Sequence, residues 1–257
     1  MRADVYLVES GHAASRTLAQ KLITEGAVTV DGRVLQKPSE EVSDAPHTVV
    51  VADTATTRYV GRGGLKLEAA LAAFPVDVCG ATVADIGAST GGFTDCLLQN
   101  GAARIFAIDS GHGQLHPRLL SDDRVRSLEG VNARYLTRAD LARVESGRSA
   151  DPFFDGRVAG CVMDVSFISQ TLLHPAVADI LLPRGWFISL VKPQFELDGR
   201  ALGKGGVVRS ERDRRAAVDR VLASAAACGL QVRSVIDSPI AGGDGNREYL
   251  AYFIKQE

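Results

Sequence analysis

Two lysines and two carboxylates could converge at one edge of a predicted β-sheet, the edge at which open parallel sheets bind their ligands. In chain order they are Lys66, Asp164, Lys192 and Glu248. The first precedes the opening strand of a strand–helix pattern, the next two end its fourth and fifth strands, and the last opens its final strand. Because two positive and two negative charges balance, the four groups can be partly buried together.

Such a set suits the removal of a proton from a weakly acidic hydroxyl, since a lysine in a buried site beside another cation can serve as a base. We predict Lys192 as the base, with Lys66 and Asp164 orienting it and tuning its proton affinity. Glu248 is expected to pair with one of the lysines. Taken singly, each residue is more typical of a surface ion pair, and only their joint placement favours a catalytic site.

A glycine-rich turn, "DIGASTGGF" at residues 85–93, joins an apolar strand to a helix. A dinucleotide fold needs the second glycine of G-x-G-x-x-G, because the backbone approaches a pyrophosphate at that position. Here Ser89 occupies that position and would crowd a pyrophosphate but not a nucleoside. The turn therefore disfavours a dehydrogenase that binds NAD.

The methyl donor S-adenosylmethionine carries a ribose and no phosphate, which fits this turn. Asp109 ends the next strand, where its carboxylate can accept hydrogen bonds from both ribose hydroxyls. In the alternative, the glycines only turn the chain and Asp109 caps the segment that follows. The residues expected to bind the cofactor are Gly87, Ala88, Ser89, Gly91, Gly92, Phe93 and Asp109.

Apolar strands alternate with helices through the rest of the chain, and helices are expected to begin near 64, 92, 168 and 211. This alternation predicts a parallel, doubly wound sheet with right-handed crossovers. The last two strands are joined by "PIAGGDGN", which is too short to hold a helix, so they should pair antiparallel. We therefore predict an α/β fold, a Rossmann-like seven-stranded sheet of the class I methyltransferase type with an antiparallel last strand. The predicted strands are 83–88, 103–109, 125–131, 158–165, 185–191, 231–237 and 248–254.

The first 50 residues have a different pattern, which predicts a small helical and hairpin unit. Ser15 can cap a helix that Gly26 ends, and Asp31-Gly32 is a strong signal for a tight turn between two strands. Arg16, Gln20 and Lys21 lie away from the apolar stripe of the helix and could meet phosphates. A solvated helix face is the alternative, because this segment contains more acids than bases.

Composition places the 257-residue chain in the soluble globular class, with 46% hydrophobic and 23% charged residues. A net charge of -2 gives no overall attraction to nucleic acid, so RNA binding would need a local basic face. Since no membrane span or signal peptide is evident, we expect a cytoplasmic protein. The cysteines lack metal or disulfide spacing, so we expect no metal and reduced thiols in the core. They are Cys79, Cys96, Cys161 and Cys228.

The segment "RADVYLVESGHAASRTLAQKLITEGAVTVDGRVLQKPSEEV" resembles the S-four-type RNA-binding module of ribosomal proteins and pseudouridine synthases. The resemblance implies an α+β RNA-binding domain with its linker over residues 1–59, followed by the second domain over 60–257. In "GRGG", Arg62 either touches RNA or only hinges the two domains. The residues that the resemblance assigns to RNA are Arg2, Arg16, Lys21 and Lys37.

The whole chain resembles the TlyA (haemolysin A) family through "GRGGLKLEAAL", "DIGASTGGFTDCLL", "GHGQL", "VMDVSFIS", "LVKPQFE", "GGVVR" and "GNREY". The resemblance implies an FtsJ-like, S-adenosylmethionine-dependent ribosomal RNA 2'-O-methyltransferase whose Lys-Asp-Lys-Glu tetrad maps onto the four charged residues above. It implies ribosomal RNA or a ribosomal subunit as partner and cytidine as target, and the chain length favours the subgroup that modifies the large subunit. A membrane-active role is not expected, and a non-catalytic RNA-binding protein on the same fold is the alternative.

The segment "ELDGRALGKGGVVRS" is glycine-rich and lacks periodicity, as lids and binding loops often are. Its basic side chains could contact RNA, and an ordinary flexible loop is an equal alternative. They are Arg200, Lys204 and Arg209.

Overall fold

The chain forms two compact units, Met1–Arg58 and Tyr59–Glu257. In this computed structural model, the side chain of Lys204 is not described. The described residues are 1–13, 15–43, 45–52, 54, 57–147, 154–197 and 202–257.

The first unit packs two helices against a three-stranded antiparallel sheet of order β2-β1-β3. Its core is formed by buried apolar side chains from both helices and from the first strand. The elements are α1 (Ala3–Glu9), α2 (Arg16–Thr24), β1 (Val28–Val30), β2 (Arg33–Val34) and β3 (Val49–Val51).

Local signals in the sequence account for most of this unit. The Ser15 hydroxyl accepts a hydrogen bond from the Leu18 amide at 3.2 Å, which confirms the predicted cap of α2. Asp31 and Gly32 both have positive φ, as a two-residue hairpin turn between β1 and β2 requires. Strand β3 was not predicted, because its three valines lack the alternation by which a half-buried strand is recognised.

The second unit contains a seven-stranded sheet of order β6-β5-β4-β7-β8-β10-β9. Neighbouring strands from β6 to β8 pair in parallel, whereas β10 is antiparallel to both β8 and β9. The predicted sheet with its antiparallel last strand is thus confirmed. The strands are β4 (Thr82–Ile86), β5 (Arg104–Asp109), β6 (Val125–Glu129), β7 (Val158–Met163), β8 (Leu181–Val191), β9 (Leu230–Asp237) and β10 (Tyr249–Lys255).

Helices cover both faces of this sheet, so successive residues of one strand enter different cores. Val83 packs into one core and Ala84 into the other, as do Ile105 and Phe106. Burial on both faces explains why the central strands are continuous apolar runs. The helices are α3 (Gly63–Ala73), α4 (Gly92–Gln99), α5 (Pro117–Leu120), α6 (Arg138–Ser146), α7 (His174–Ile180), α8 (Pro193–Glu196) and α9 (Glu211–Ala227).

Four helices of the second unit differ from the predictions, and two of them, α5 and α8, are four-residue helices that were not predicted. The helix expected from residue 168 begins at His174, because a 3₁₀ turn, Gln170–Leu172, capped by Ser169 precedes it. Helix α6 was not predicted, since its apolar face is narrow and its buried residues are only Leu141 and the charged Glu145. The Glu145 carboxylate forms buried ion pairs with two arginines of the sheet, and hydrophobic periodicity in the sequence does not reveal such contacts.

The cysteine prediction is confirmed in part. Cys96 and Cys161 are buried, and all four thiols are free. Cys79 is exposed and Cys228 half-buried, so the prediction of core thiols is wrong for Cys79, which lies in a loop. Within the described residues, every helix is too short or too polar to span a membrane. The same residues place no three His, Cys, Asp or Glu side chains together as metal ligands would be.

A carboxylic acid, Asp85, is fully buried in β4. Burial raises the pKa of Asp85 to about 7. The hydrogen bond that its carboxylate accepts from the Thr94 hydroxyl at 2.6 Å lowers the pKa and so opposes this rise in part. The folded protein therefore holds this proton at higher pH than the unfolded chain does. Stability contributed by the neutral carboxyl is present below about pH 4 and is lost as the pH rises through 7.

We predict that Asp85→Asn flattens this pH dependence. One pKa unit corresponds to about 1.4 kcal/mol. As the pH rises from 4 to 8, the free energy of unfolding of the variant should therefore increase relative to that of the parent by up to about 4 kcal/mol. Urea unfolding at a series of pH values measures the difference. Parallel stability curves for parent and variant would show that Asp85 is not the group responsible.

Candidate functional site

A cleft of about 470 Å³ opens at the carboxyl edge of the central strands. It is formed where β4, β5, β6 and β7 end, as expected for ligand sites in open sheets. Among its described lining residues there is no lysine, arginine or histidine, whereas Asp109 and Asp164 both contribute carboxylates. The cleft therefore suits a phosphate-free ligand with a positive charge better than a pyrophosphate.

Two glycines allow the turn after β4 to pack closely against its neighbours. Gly87 has φ +81°, and a Cβ there would lie 2.4 Å from the backbone oxygen of Asp164. Gly91 has φ +96°, and its Cβ would lie 2.1 Å from a methyl carbon of Leu119. No side chain fits at either position, so the turn is held against β7 on one side and α5 on the other.

Asp109 ties the glycine turn to the end of β5. Its two carboxylate oxygens accept hydrogen bonds from the amides of Ser89, at 2.8 Å, and Gly111, at 2.7 Å. Because each carboxylate oxygen has two acceptor sites, capacity remains for the two hydroxyls of a ribose. The Ser89 side chain turns to Gln114, whose amide oxygen accepts its hydroxyl proton at 3.1 Å.

A smaller cleft of about 220 Å³ adjoins the first. The two share Gly87, Ser89, Asp164 and Ser166 in their walls. Unlike the main cleft, the smaller one has basic residues in its wall, and they are Arg62 and Lys192.

Lys192 is held at the boundary between the clefts. Its Nζ lies 2.6 Å from Oδ1 of Asp164 and donates a hydrogen bond to the Ser166 hydroxyl at 2.8 Å. The side chains of Lys192 and Asp164 are 12% and 21% exposed, so both can be reached from solvent. The two residues, which follow neighbouring strands, thus face one cleft as expected from the sequence.

The other two charged residues form a second, more deeply buried pair. Lys66 Nζ lies 2.5 Å from Oε2 of Glu248, and their side chains are 10% and 2% exposed. Neither residue is in the wall of the two clefts.

The two ion pairs are neighbours. Val191 pairs with Tyr249, so Lys192 and Glu248 occupy the next positions along β8 and β10. Gly63, one turn before Lys66 on α3, approaches Asp164 so closely that a Cβ there would lie 3.7 Å from its Oδ2.

The remaining residues predicted for the cofactor divide between the two clefts. Asp109 is in the wall of the main cleft, and Gly87 and Ser89 are in the walls of both. Ala88, Gly92 and Phe93 are in the wall of the smaller cleft, and Phe93 is otherwise part of the core. Gly91 belongs to neither wall and acts through the backbone turn alone.

Residues that the sequence reasoning missed also contribute to the cleft. Ser166 and Phe167 follow β7, Asn132 follows β6, and Gln114 follows β5. Placement after a strand end is the signal that would have found them. Phe167 is 92% exposed and has φ +65°, an unusual conformation for a large side chain and one that is often functional.

The basic residues predicted for RNA are organised differently from the expectation. Arg16 and Gln20, which were expected to point outward, both donate to Asp4 on α1, as does Arg2. The Asp4 carboxylate is fully buried and requires these donors. The pKa of Asp4 lies well below its usual range, and the hydrogen bond from the Arg2 guanidinium contributes most to this lowering.

The outer parts of these arginines remain open to solvent, since the side chains of Arg2 and Arg16 are 47% and 56% exposed. Lys21 Nζ lies 3.6 Å from Oε1 of Glu25, the residue that follows α2, and Lys37 is exposed. In the glycine-rich loop, Arg209 is exposed. Arg200 and the side chain of Lys204 lie outside the described residues.

Two family models match the chain. The FtsJ-like methyltransferase model matches residues 59–255, and the S4 domain model matches residues 1–48. The two matches correspond to the two compact units of the structure.

Similar proteins cover the chain almost completely. It is 42% identical over 252 residues to the "Putative rRNA methyltransferase YqxC" of Bacillus subtilis (strain 168), covering 98% of this chain and 84% of that protein. It is 40% identical over 255 residues to the "16S/23S rRNA (cytidine-2'-O)-methyltransferase TlyA" of Mycobacterium tuberculosis (strain ATCC 25618 / H37Rv), covering 99% and 90%. A solved structure, "Putative hemolysin from Streptococcus thermophilus", matches with a TM-score of 0.73 and 40% identity, covering 100% of this chain and 89% of that one.

The burial of the Lys66–Glu248 pair predicts a large stability effect when one partner is removed. Lys66→Ala should lower the free energy of unfolding by about 3 to 5 kcal/mol, because it leaves a buried carboxylate without its cation. Urea unfolding measures this loss. As a control, Arg143→Ala removes an exposed ion pair with Asp140 and should change stability by less than about 1 kcal/mol. Equal effects of the two substitutions would contradict the assignment of a buried pair.

Proposed function

The chain belongs to the FtsJ-like methyltransferase family, and we propose that it methylates the ribose 2'-hydroxyl of a cytidine in ribosomal RNA. The observation that carries this proposal is the Lys192 amine, which Asp164 and Ser166 hold at the boundary of the two clefts. A 2'-hydroxyl is a very weak acid, so the enzyme must orient it and accept its proton.

The main cleft fits the cofactor of this family. S-adenosylmethionine supplies an activated methyl group on a positively charged sulfur. The carboxylates of Asp109 and Asp164 and the absence of basic residues from the described lining favour such a ligand. Asp109 would accept hydrogen bonds from its ribose, and Gly87 and Ser89 would contact it through the turn after β4.

We assign the base to Lys192. In its amine form, Nζ takes the hydroxyl proton, and the resulting ammonium is stabilised by Asp164 and by the Ser166 hydroxyl at their observed distances. Lys66 and Glu248 neutralise one another and fix α3 beside the start of β10. Their positive and negative charges orient the neighbouring pair without contacting the substrate.

The S4 domain supports RNA as the partner of the first unit. We propose that Arg2, Arg16, Lys21 and Lys37 bind the RNA backbone there, and that Arg62 binds it at the smaller cleft. Arginine side chains suit this role because a guanidinium can hold a phosphate through two hydrogen bonds.

We further propose that the substrate is the large ribosomal subunit, in the cytoplasm. The name of the Mycobacterium tuberculosis relative includes both 16S and 23S RNA. We expect a mark on 23S RNA as the product, and a mark on 16S RNA would correct this part of the proposal without affecting the chemistry.

Incubation with labelled S-adenosylmethionine and separated ribosomal subunits tests the function. The parent protein should transfer label to the large subunit, and nuclease mapping should place it on a cytidine 2'-oxygen. Lys192→Ala should lower the transfer rate by at least about 100-fold, because the base is lost. Its binding of RNA and cofactor should change by less than about threefold.

The control for this variant is Arg233→Ala, an exposed position on β9, which should retain full activity. If the parent transfers no label to either subunit but still binds them, the chain is an RNA-binding protein on a methyltransferase fold. If Lys192→Ala remains fully active, another group accepts the proton.

Asp109 gives a separate prediction for cofactor binding. Asp109→Ala should weaken the binding of S-adenosylmethionine by about 10- to 100-fold, because charge-assisted hydrogen bonds to the ribose are lost. Isothermal calorimetry measures the affinity. Asp122→Ala, on a carboxylate that pairs with Arg124 away from the cleft, should bind normally. Unchanged binding by Asp109→Ala would place the ribose elsewhere.

A further inference from the structure

Two segments carry the groups assigned to proton transfer, and neither is part of a strand. The segment that follows β7 contains Asp164, Ser166 and Phe167, and the segment that follows β8 contains Lys192. The positions of these side chains relative to one another depend on whatever holds the two segments together.

A buried carboxylate joins the two segments. Glu196 ends α8, four residues after Lys192, and is 3% exposed. One of its oxygens accepts a hydrogen bond from the Gln170 amide at 2.9 Å, and the other accepts one from the Ser169 hydroxyl at 2.5 Å. Burial raises the pKa of Glu196, and the hydrogen bonds from Ser169 and Gln170 oppose that rise.

Further contacts extend this junction on both sides. The Gln170 side chain bonds to Ser189 and to the Leu190 carbonyl of β8, so the segment after β7 is also fixed to the strand itself. The rings of Phe167 and Phe195 lie 5.2 Å apart between centroids. From α9, Arg220 donates a hydrogen bond to the Glu196 carbonyl at 2.9 Å, which fixes the backbone that carries the carboxylate.

We propose that Glu196 is a positioning residue for methyl transfer: it holds the Asp164–Gln170 segment in register with Lys192. The residue is not in the wall of either cleft, so it acts through the segments it joins and does not touch substrate. Glu196 lies four positions after Lys192 and Gln170 lies four positions after Ser166, so the two segments are fastened at both ends. This inference rests on the function proposed above.

The geometry also predicts what kind of contact matters. Glutamine has the shape of glutamate, and its amide oxygen can still accept from the Gln170 amide. Its NH₂ can donate to the Ser169 oxygen, whose hydroxyl then turns toward Thr171, 2.7 Å away. The junction therefore needs two hydrogen bonds and not a negative charge.

The test compares Glu196→Ala with Glu196→Gln in steady-state methylation of ribosomal RNA. We expect Glu196→Ala to lower kcat by about 10- to 100-fold, because displacement of reacting groups by about 1 Å has effects of this size. KM for RNA should stay within about twofold, since the RNA-binding residues are elsewhere. Glu196→Gln should stay within about threefold of the parent in kcat.

A merely structural role is separated by a control and by a second variant. Val125→Ala shortens a buried side chain at the start of β6, remote from the junction, and should lower thermal stability without lowering kcat. Ser169→Ala removes one of the two hydrogen bonds and keeps the other, so it should fold and show a smaller loss of kcat. Combined with Glu196→Ala, it should add little, because the two residues share one contact.

Amide hydrogen exchange gives a readout that does not depend on activity. Glu196→Ala should accelerate exchange in peptides that contain Gln170, and Val125→Ala should not. The proposal is overturned if exchange there is unchanged, if Glu196→Ala loses thermal stability without losing kcat as Val125→Ala does, or if Glu196→Gln is as impaired as Glu196→Ala. If the parent itself lacks methyl transfer, the proposed function fails, while exchange still decides whether Glu196 holds the segment.

Discussion

The antiparallel direction of β10 is the constraint on which the charged cluster depends. Strands β7 and β8 run parallel, so Asp164 and Lys192 emerge at the same edge of the sheet. Because β10 runs the other way, its first residues lie at that edge too, and Glu248 comes next to Lys192. In a parallel β10, Glu248 would lie at the opposite edge, about 20 Å away over seven residues.

The two ion pairs at this edge differ in burial, and the difference separates their roles. Lys66 and Glu248 are nearly closed off from water, where an ion pair is retained only if both partners stay. Lys192 and Asp164 are more exposed and adjoin both clefts. The Lys66–Glu248 pair therefore fixes the local charge balance, and the more exposed Lys192 amine is left open to a substrate hydroxyl.

Much of this arrangement could be predicted from the sequence, because strand ends are marked by where apolar runs stop. That rule placed Asp109, Asp164 and Lys192 correctly at one edge. It did not predict the left-handed backbone of Phe167, because that conformation is a property of a single backbone angle. It also did not predict the three donors around Asp4, because they depend on contacts between segments that are distant in the sequence. The fold was thus more predictable than the contacts that orient its side chains.

Charge also separates the two clefts. The described lining of the main cleft has carboxylates and no basic residue, so an RNA phosphate would be repelled there while a sulfonium would be attracted. The smaller cleft carries Arg62, whose guanidinium attracts a phosphate backbone. Since the two clefts share Asp164 and Ser166, a cofactor and a nucleic acid can each occupy the cleft of favourable charge and still meet at one boundary. Lys192 lies at that boundary, so this charge pattern would direct the two reactants to the residue that we propose as the base.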